Sequence, residues 1–306
     1  MYDIKNFLIT LDMSEIDESM VEYASMVVDK LDLDKICFLH VVKPIDLPEE
    51  LIHDYPELDD VIHSTIKSKI EDLIKRFFTG APDSFEILLK EGNPDKVVLE
   101  TARDLDIDVI AMGMKDGLEG VGTLSHKIAK LAPCTVVFIP EVLPRKLEKI
   151  LVPTDFSVHS KMAAQVAAKI SSKNDKAGIF CQHVYNVPSG YSKIGKTYEE
   201  FADIMKSNGV KMFDAYNNSE ELKDIPIDIC EFTLNNHGRI HEYIYMHAIK
   251  MRADMIVIGS KGRTEASSLL LGSTADKLLN YNNQLPIIVV KEKNHNLDFL
   301  HALLSL

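Results

Sequence analysis

The segment "GSKGRTEASSLLLGST", Gly259 to Thr274, follows the apolar run "DMIVIG". Gly259 and Gly262 stand three apart, and Gly272 precedes Ser273 and Thr274 at the start of the helix-like "STADKLLNY". Glycines at such positions permit backbone shapes and close approaches that a side chain blocks, so a turn can aim successive N–H groups at an anion. A helix N-terminus adds unpaired N–H groups and the positive end of its dipole, which together favour phosphate. The hydroxyls of Ser273 and Thr274 supply further donors, and Lys261 and Arg263 supply positive charge beside the first turn. Asp155, in "VPTDFS" at the end of another apolar run, can accept from ribose hydroxyls. Taken singly, these pieces are also ordinary turn and cap chemistry. Taken together, two phosphate-facing turns and one carboxylate fit a nucleotide.

Catalytic chemistry is less well provided for. Asp155, Ser157 and His159 are too close in sequence for the converging geometry of a hydrolase triad, and no G-x-S-x-G elbow occurs. No Gly-Lys-Ser/Thr follows the glycines as in a Walker A loop, and no residue stands out as a base for activating water at a γ-phosphate. Binding is therefore expected rather than turnover, with hydrolysis at most slow and no catalytic residue named. His237 and His241 have a helical ligand spacing but no third ligand, so no metal site is expected.

The elements that must position these residues occur twice. "FLITLDMS" and "ILVPTDFS" place Asp12 and Asp155 143 residues apart, and "KICFLHVV" and "AGIFCQHVY" place His40 and His183 at the same offset. "DVIAMG" and "DMIVIG" put Gly113 and Gly259 146 apart, and Gly122-Thr123 and Gly272-Ser273 are 150 apart. The slow drift of the offset marks a duplication with small insertions. In each copy, β-branched runs apolar on both faces alternate with helix-length amphipathic stretches, the pattern of a parallel sheet covered on both sides. The fold expected is α/β: two tandem doubly wound domains, each a five-stranded parallel sheet flanked by helices. The domains are set at 1–144 and 145–293, with an apolar tail at 294–306 that packs on its own domain or docks on a neighbour. In such sheets ligands bind beyond the carboxyl ends of the strands where the strand order reverses, so Asp155 and Gly259 flank one crevice if their strands are neighbours.

Composition narrows the setting. The 306 residues are 46% hydrophobic and 26% charged, with a formal net charge of −13. That balance argues against nucleic acid or an anionic membrane as the main partner. No apolar run reaches the ~18 residues of a membrane helix, and the N-terminus lacks a signal-peptide layout. Cys37, Cys134, Cys181 and Cys230 are scattered in apolar runs and are expected to be reduced and buried. A cytoplasmic location is expected.

On these residues the chain resembles tandem universal stress proteins. ATP-binding members of that family carry G-x2-G-x9-G-(S/T) after the fourth strand, which Gly259, Gly262, Gly272 and Ser273 match without a gap. The strand-end "TDFS" and the His183-Val184 step are also similar to the family pattern. The resemblance implies ATP as ligand, with or without Mg2+, and roles for particular residues. Pro153, Thr154 and Asp155 would line adenine and ribose, and the Val184 backbone would meet adenine. Gly259, Lys261 and Gly262 would wrap the phosphates from one side, and Gly272, Ser273 and Thr274 from the other. Magnesium would be held by phosphates and water, since no carboxylate cluster forms a cage. Family domains pair through their last strands, which implies that the two repeats pair within the chain; two chains could then form a homodimer.

The first repeat departs from the pattern. Asp116 stands where the second glycine belongs, four residues are missing before Gly122, and Gly117 and Gly120 are extra. An acid beside a phosphate cradle repels the ligand, so the first domain is expected to be structural. The function expected is that of an ATP-binding stress-response or regulatory protein. The alternatives are a nucleotide-independent interaction scaffold and, more weakly, a slow ATPase or other adenine-nucleotide enzyme.

Overall fold

The computed structural model describes residues 4–28, 33–42, 58–78, 85–114, 121–144, 146–172, 177–236, 238–263, 271–281 and 284–293. The first repeat supplies β1 (Asn6–Leu11), α1 (Ile16–Val28), β2 (Lys35–Val42), α2 (Leu58–Phe77), β3 (Phe85–Glu91), α3 (Pro94–Asp104), β4 (Val109–Met114), α4 (Thr123–Leu131) and β5 (Thr135–Pro140). The second supplies β6 (Lys149–Pro153), α5 (Val158–Ser171), β7 (Gly178–Tyr185), α6 (Tyr198–Asn217), β8 (Ile227–Leu234), α7 (Ile240–Met251), β9 (Met255–Gly259), α8 (Ser273–Tyr281) and β10 (Ile287–Val290).

The strands form one ten-stranded sheet in the order β3-β2-β1-β4-β5-β10-β9-β6-β7-β8. Within each repeat all pairings are parallel, as expected for a doubly wound domain. The repeats join where β10 runs antiparallel to β5, with Val289 opposite Val136. Strand order reverses between β1 and β4 and between β6 and β9, so each repeat has a switch-point crevice.

Alternation along the strands feeds two cores. In β1, Phe7 and Ile9 face one core and Leu8 the other. The first core lies under α1, α2, α5 and α6, and the second under α3, α4, α7 and α8. At the amino ends, Asp108 accepts the N–H groups of Lys5 and Asn6 at 2.8 Å each. Asp254 does the same for Glu148 and Lys149 at 2.8 Å. These paired anchors hold β1 against β4 and β6 against β9 at one end, leaving the carboxyl ends to diverge.

Packing decides burial on α6 and at one of the four cysteines expected in the core. Phe201, Met205, Met212 and Phe213 on α6 are only half-buried and Ile204 is exposed, whereas Ala202, Gly209 and Tyr216 are buried. A small-residue face brings the helix close to the sheet: a Cβ at Gly209 would meet the Phe232 ring at 3.1 Å. Cys37, Cys134 and Cys181 are buried free thiols, but Cys230 is partly exposed because β8 is an edge strand. Asp116, Gly117, Gly120, His237 and the tail 294–306 lie outside the described residues.

Candidate functional site

At the β6/β9 crevice the chain leaves β6 through a tight turn. Phe156 has φ 65°, a left-handed value that a bulky residue rarely adopts. Side chains on either side hold it there. Thr154 Oγ1 accepts the Phe156 N–H at 3.0 Å, and Asp155 Oδ1 accepts the Ser157 N–H at 3.1 Å. Ser157 then caps α5 by accepting the Ser160 N–H at 3.2 Å. The Ser160 hydroxyl closes the turn, donating to the Ser157 carbonyl at 2.9 Å and lying 3.1 Å from Thr154 Oγ1.

The neighbouring turn after β9 is tied to the same carboxylate. Asp155 Oδ2 accepts the Arg263 N–H at 2.9 Å, which closes the β9 turn over the end of β6. A Cβ at Gly262 would stand 3.0 Å from that oxygen, so glycine is what allows the approach. Gly259 answers a different demand: a Cβ there would lie 2.7 Å from the carbonyl carbon and oxygen of His159 on α5.

Between these turns lies a cavity of about 410 Å3. Pro153, Thr154, Asp155 and Val184 line one side. Gly259, Lys261, Gly262 and Arg263 line another, and Ser273 and Thr274 close it from the start of α8. Gly272 is not part of this wall. Its N–H donates to the Ser260 carbonyl at 2.6 Å, and the Ser260 N–H donates to Val290 O at 2.9 Å, so Gly272 fastens the start of α8 to the ends of β9 and β10.

The cavity also uses Ser160, His183, Asn186 and Ile244, which the motif spacing does not single out as site residues. Only the histidine had a sequence signal, through the repeated His-Val step. His183 Nδ1–H donates to the Thr154 carbonyl at 2.8 Å. Burial lowers its pKa, the Thr154 carbonyl opposes this, and the Arg263 charge adds to it. The ring is therefore a neutral wall, fixed in one tautomer and packed on Phe156 with centroids 4.4 Å apart.

The first repeat has a matching cavity of about 660 Å3, lined in part by Asp12, Met13, Asp17, His40, Gly122 and Thr123. Met13 repeats the left-handed turn with φ 63°, and His40 Nδ1–H donates to Leu11 O at 2.9 Å. The turn is held differently. Asp17, at the place of Ser160, is buried and accepts the N–H groups of Asp12 and Met13 at 3.1 and 2.8 Å. Leu124 occupies the place of Thr274. Among the described residues no group of three or more His, Cys, Asp or Glu could hold a metal ion, and no helix is long and apolar enough to cross a membrane.

The family model described as the universal stress protein family matches residues 3–140 and again 146–291. The chain is similar to universal stress protein MJ0577 of Methanocaldococcus jannaschii, 28% identical over 161 residues that make up 48% of this chain and 96% of the relative. It is also similar to universal stress protein MJ0531 of the same organism, 30% identical over 152 residues, 47% of this chain and 82% of that one. A solved structure of a universal stress protein from Archaeoglobus fulgidus shares the fold, with TM-score 0.62 and 18% identity, covering 96% of this chain and 98% of its own.

Proposed function

Starting from a chain that belongs to the universal stress protein family, we propose that it is an ATP-binding regulatory protein whose second repeat holds the nucleotide. The observation that carries this reading is the 410 Å3 cavity bounded at once by the β6 end, the glycine turn after β9 and the start of α8. Its size is that of a small-molecule site. In this reading Pro153 and Val184 meet the base, and Asp155 keeps lone pairs for ribose hydroxyls besides those given to Ser157 and Arg263. Lys261 and Arg263 supply positive charge from one side, and Ser273 and Thr274 supply donors at the helix start from the other. Magnesium, when it accompanies ATP, is held by phosphates and water.

The first repeat is assigned a structural role. The buried carboxylate of Asp17 and the apolar Leu124 stand where the second repeat has Ser160 and Thr274, so its cleft is less suited to polyphosphate. ATP favours one conformation of the chain by binding it more tightly, and the output is an altered contact with a protein partner.

The test is mass spectrometry of the small molecule released from freshly purified full-length protein, beside Gly262→Asp. That variant adds a second carboxylate beside Asp155 and copies the acid of the first repeat. Release of an adenine nucleotide by the wild type and not by the variant is expected. If neither releases one and calorimetry detects no ATP binding, the scaffold reading replaces this one.

A further inference from the structure

Helix α8, which opens the second phosphate-facing turn, also meets the first repeat. Asp276 stands three residues beyond Ser273, and its N–H donates to Gly272 O at 2.9 Å. Its carboxylate oxygen Oδ1 lies 2.8 Å from His126 Nε2 and 3.3 Å from Lys130 Nζ, both on α4 of the first repeat. The three side chains are 27%, 22% and 39% exposed in that order, so the cluster is only partly open to solvent.

Helices α4 and α8 are counterparts, each starting just after a Gly. The 150-residue offset that relates Gly122 to Gly272 also carries His126 onto Asp276. Equivalent positions therefore face each other across the junction of the repeats. In a pair of identical units the same residue would meet itself here, histidine against histidine or aspartate against aspartate. After duplication the two positions have diverged into a complementary pair that identical units cannot make.

The location of Asp276 gives this pair a consequence. At a rise of 1.5 Å per residue it lies roughly 4.5 Å along the axis from Ser273, within the first turn of the helix. A bare carboxylate there cancels part of the positive end of the helix dipole and repels an incoming phosphate. Taken together with the nucleotide reading above, on which this rests, we propose that His126 and Lys130 of the first repeat are positioning residues for the second repeat's anion site. Both sit against the Asp276 carboxylate, Lys130 supplying the offsetting charge and His126 adding to it when protonated, so that the start of α8 keeps its attraction for the nucleotide. The first repeat thereby tunes the affinity of its neighbour without touching the ligand.

The experiment is calorimetric titration of the full-length chain with ATP at low and moderate salt. It compares wild type, His126→Ala/Lys130→Ala, Asp276→Asn and the triple variant. The double variant should bind about tenfold more weakly than wild type, a penalty that shrinks as salt rises. Adding Asp276→Asn to it should restore binding to within about twofold of Asp276→Asn alone. A contact that merely joins the repeats would lower the unfolding temperature and leave the dissociation constant unchanged, which overturns the proposal. A loss that Asp276→Asn does not restore overturns it as well. If the double variant does not fold, Lys130→Gln alone should weaken binding about threefold, and wild-type affinity in that variant is the refuting result. Wild type that binds no ATP defeats both this inference and the functional reading; wild type that binds ATP with variants indifferent defeats this inference alone.

Discussion

A side chain at Gly259 would enter the first turn of α5, with its Cβ 2.7 Å from the His159 carbonyl. Backbone is the obstacle, and backbone moves only by shifting the helix against β9. Gly259→Ala should therefore cost about 1–3 kcal/mol of stability, visible as a lower urea midpoint. An unchanged midpoint would show that the helix yields freely. Gly113 in the first repeat has a related constraint, since a Cβ there would meet Ile16 Cδ1 at 2.8 Å. That obstacle is the end of a side chain, which rotates more cheaply. Gly262 differs from both, because its near neighbour is the Asp155 carboxylate that orients the cleft. Substitution at Gly262 should thus be read first in nucleotide release, and substitution at Gly259 first in folding.

At the scale of elements, the turn after β6 and the helix it launches act together. Ser157 caps α5 through the Ser160 N–H, and Thr154, whose Oγ1 lies 3.1 Å from the Ser160 hydroxyl, accepts the N–H of the left-handed Phe156. Ser157→Ala should cost about 1 kcal/mol, measured by chemical unfolding; no loss would mean that another acceptor takes over the Ser160 N–H. The alternation of strands and helices was legible in sequence because parallel strands buried on both faces read as continuous apolar runs, as β5 and β9 do. The clustering of Asp155, Lys261 and Ser273 was legible because motif spacing and strand ends share one geometry. The buried face of α6 was not. Its Met and Phe residues fall at helical spacing, yet Ala202, Gly209 and Tyr216 are the buried ones, and at Gly209 the Phe232 ring on the strand beneath leaves little room for a side chain. Nor was the strain at Phe156 legible, since no local rule asks for a left-handed phenylalanine.

Across the whole molecule, both cores run through both repeats, and contacts between distant segments decide how the halves fit. Such contacts leave no spacing in the sequence. Lys291, just past β10, is 5% exposed, and its ammonium donates to the carbonyls of Lys130 and Ala132 at 3.0 and 2.9 Å. These carbonyls lie at the end of α4, where the helix dipole favours a cation. Burial nevertheless pushes the Lys291 pKa down to about 7; nearby Cys134 opposes that shift and Lys261 adds to it. In the unfolded chain a lysine titrates near 10.4. Between roughly pH 7 and 10.4 the unfolded state therefore holds the proton more tightly than the folded state, and stability rises with pH. Below that window both states are protonated, the slope vanishes and the cost of burying the charge is fully present. Lys291→Met removes the titrating group. Its absolute stability is set by two opposing effects, relief from the buried charge and loss of donors to two carbonyls. The slope separates them. Between pH 7.5 and 9 the wild type should gain up to about 1.4 kcal/mol per pH unit over the variant in urea unfolding, the value for one proton. Parallel profiles for the two proteins would mean that the carbonyls keep Lys291 charged throughout, and that the junction between the repeats is held by a permanent buried cation.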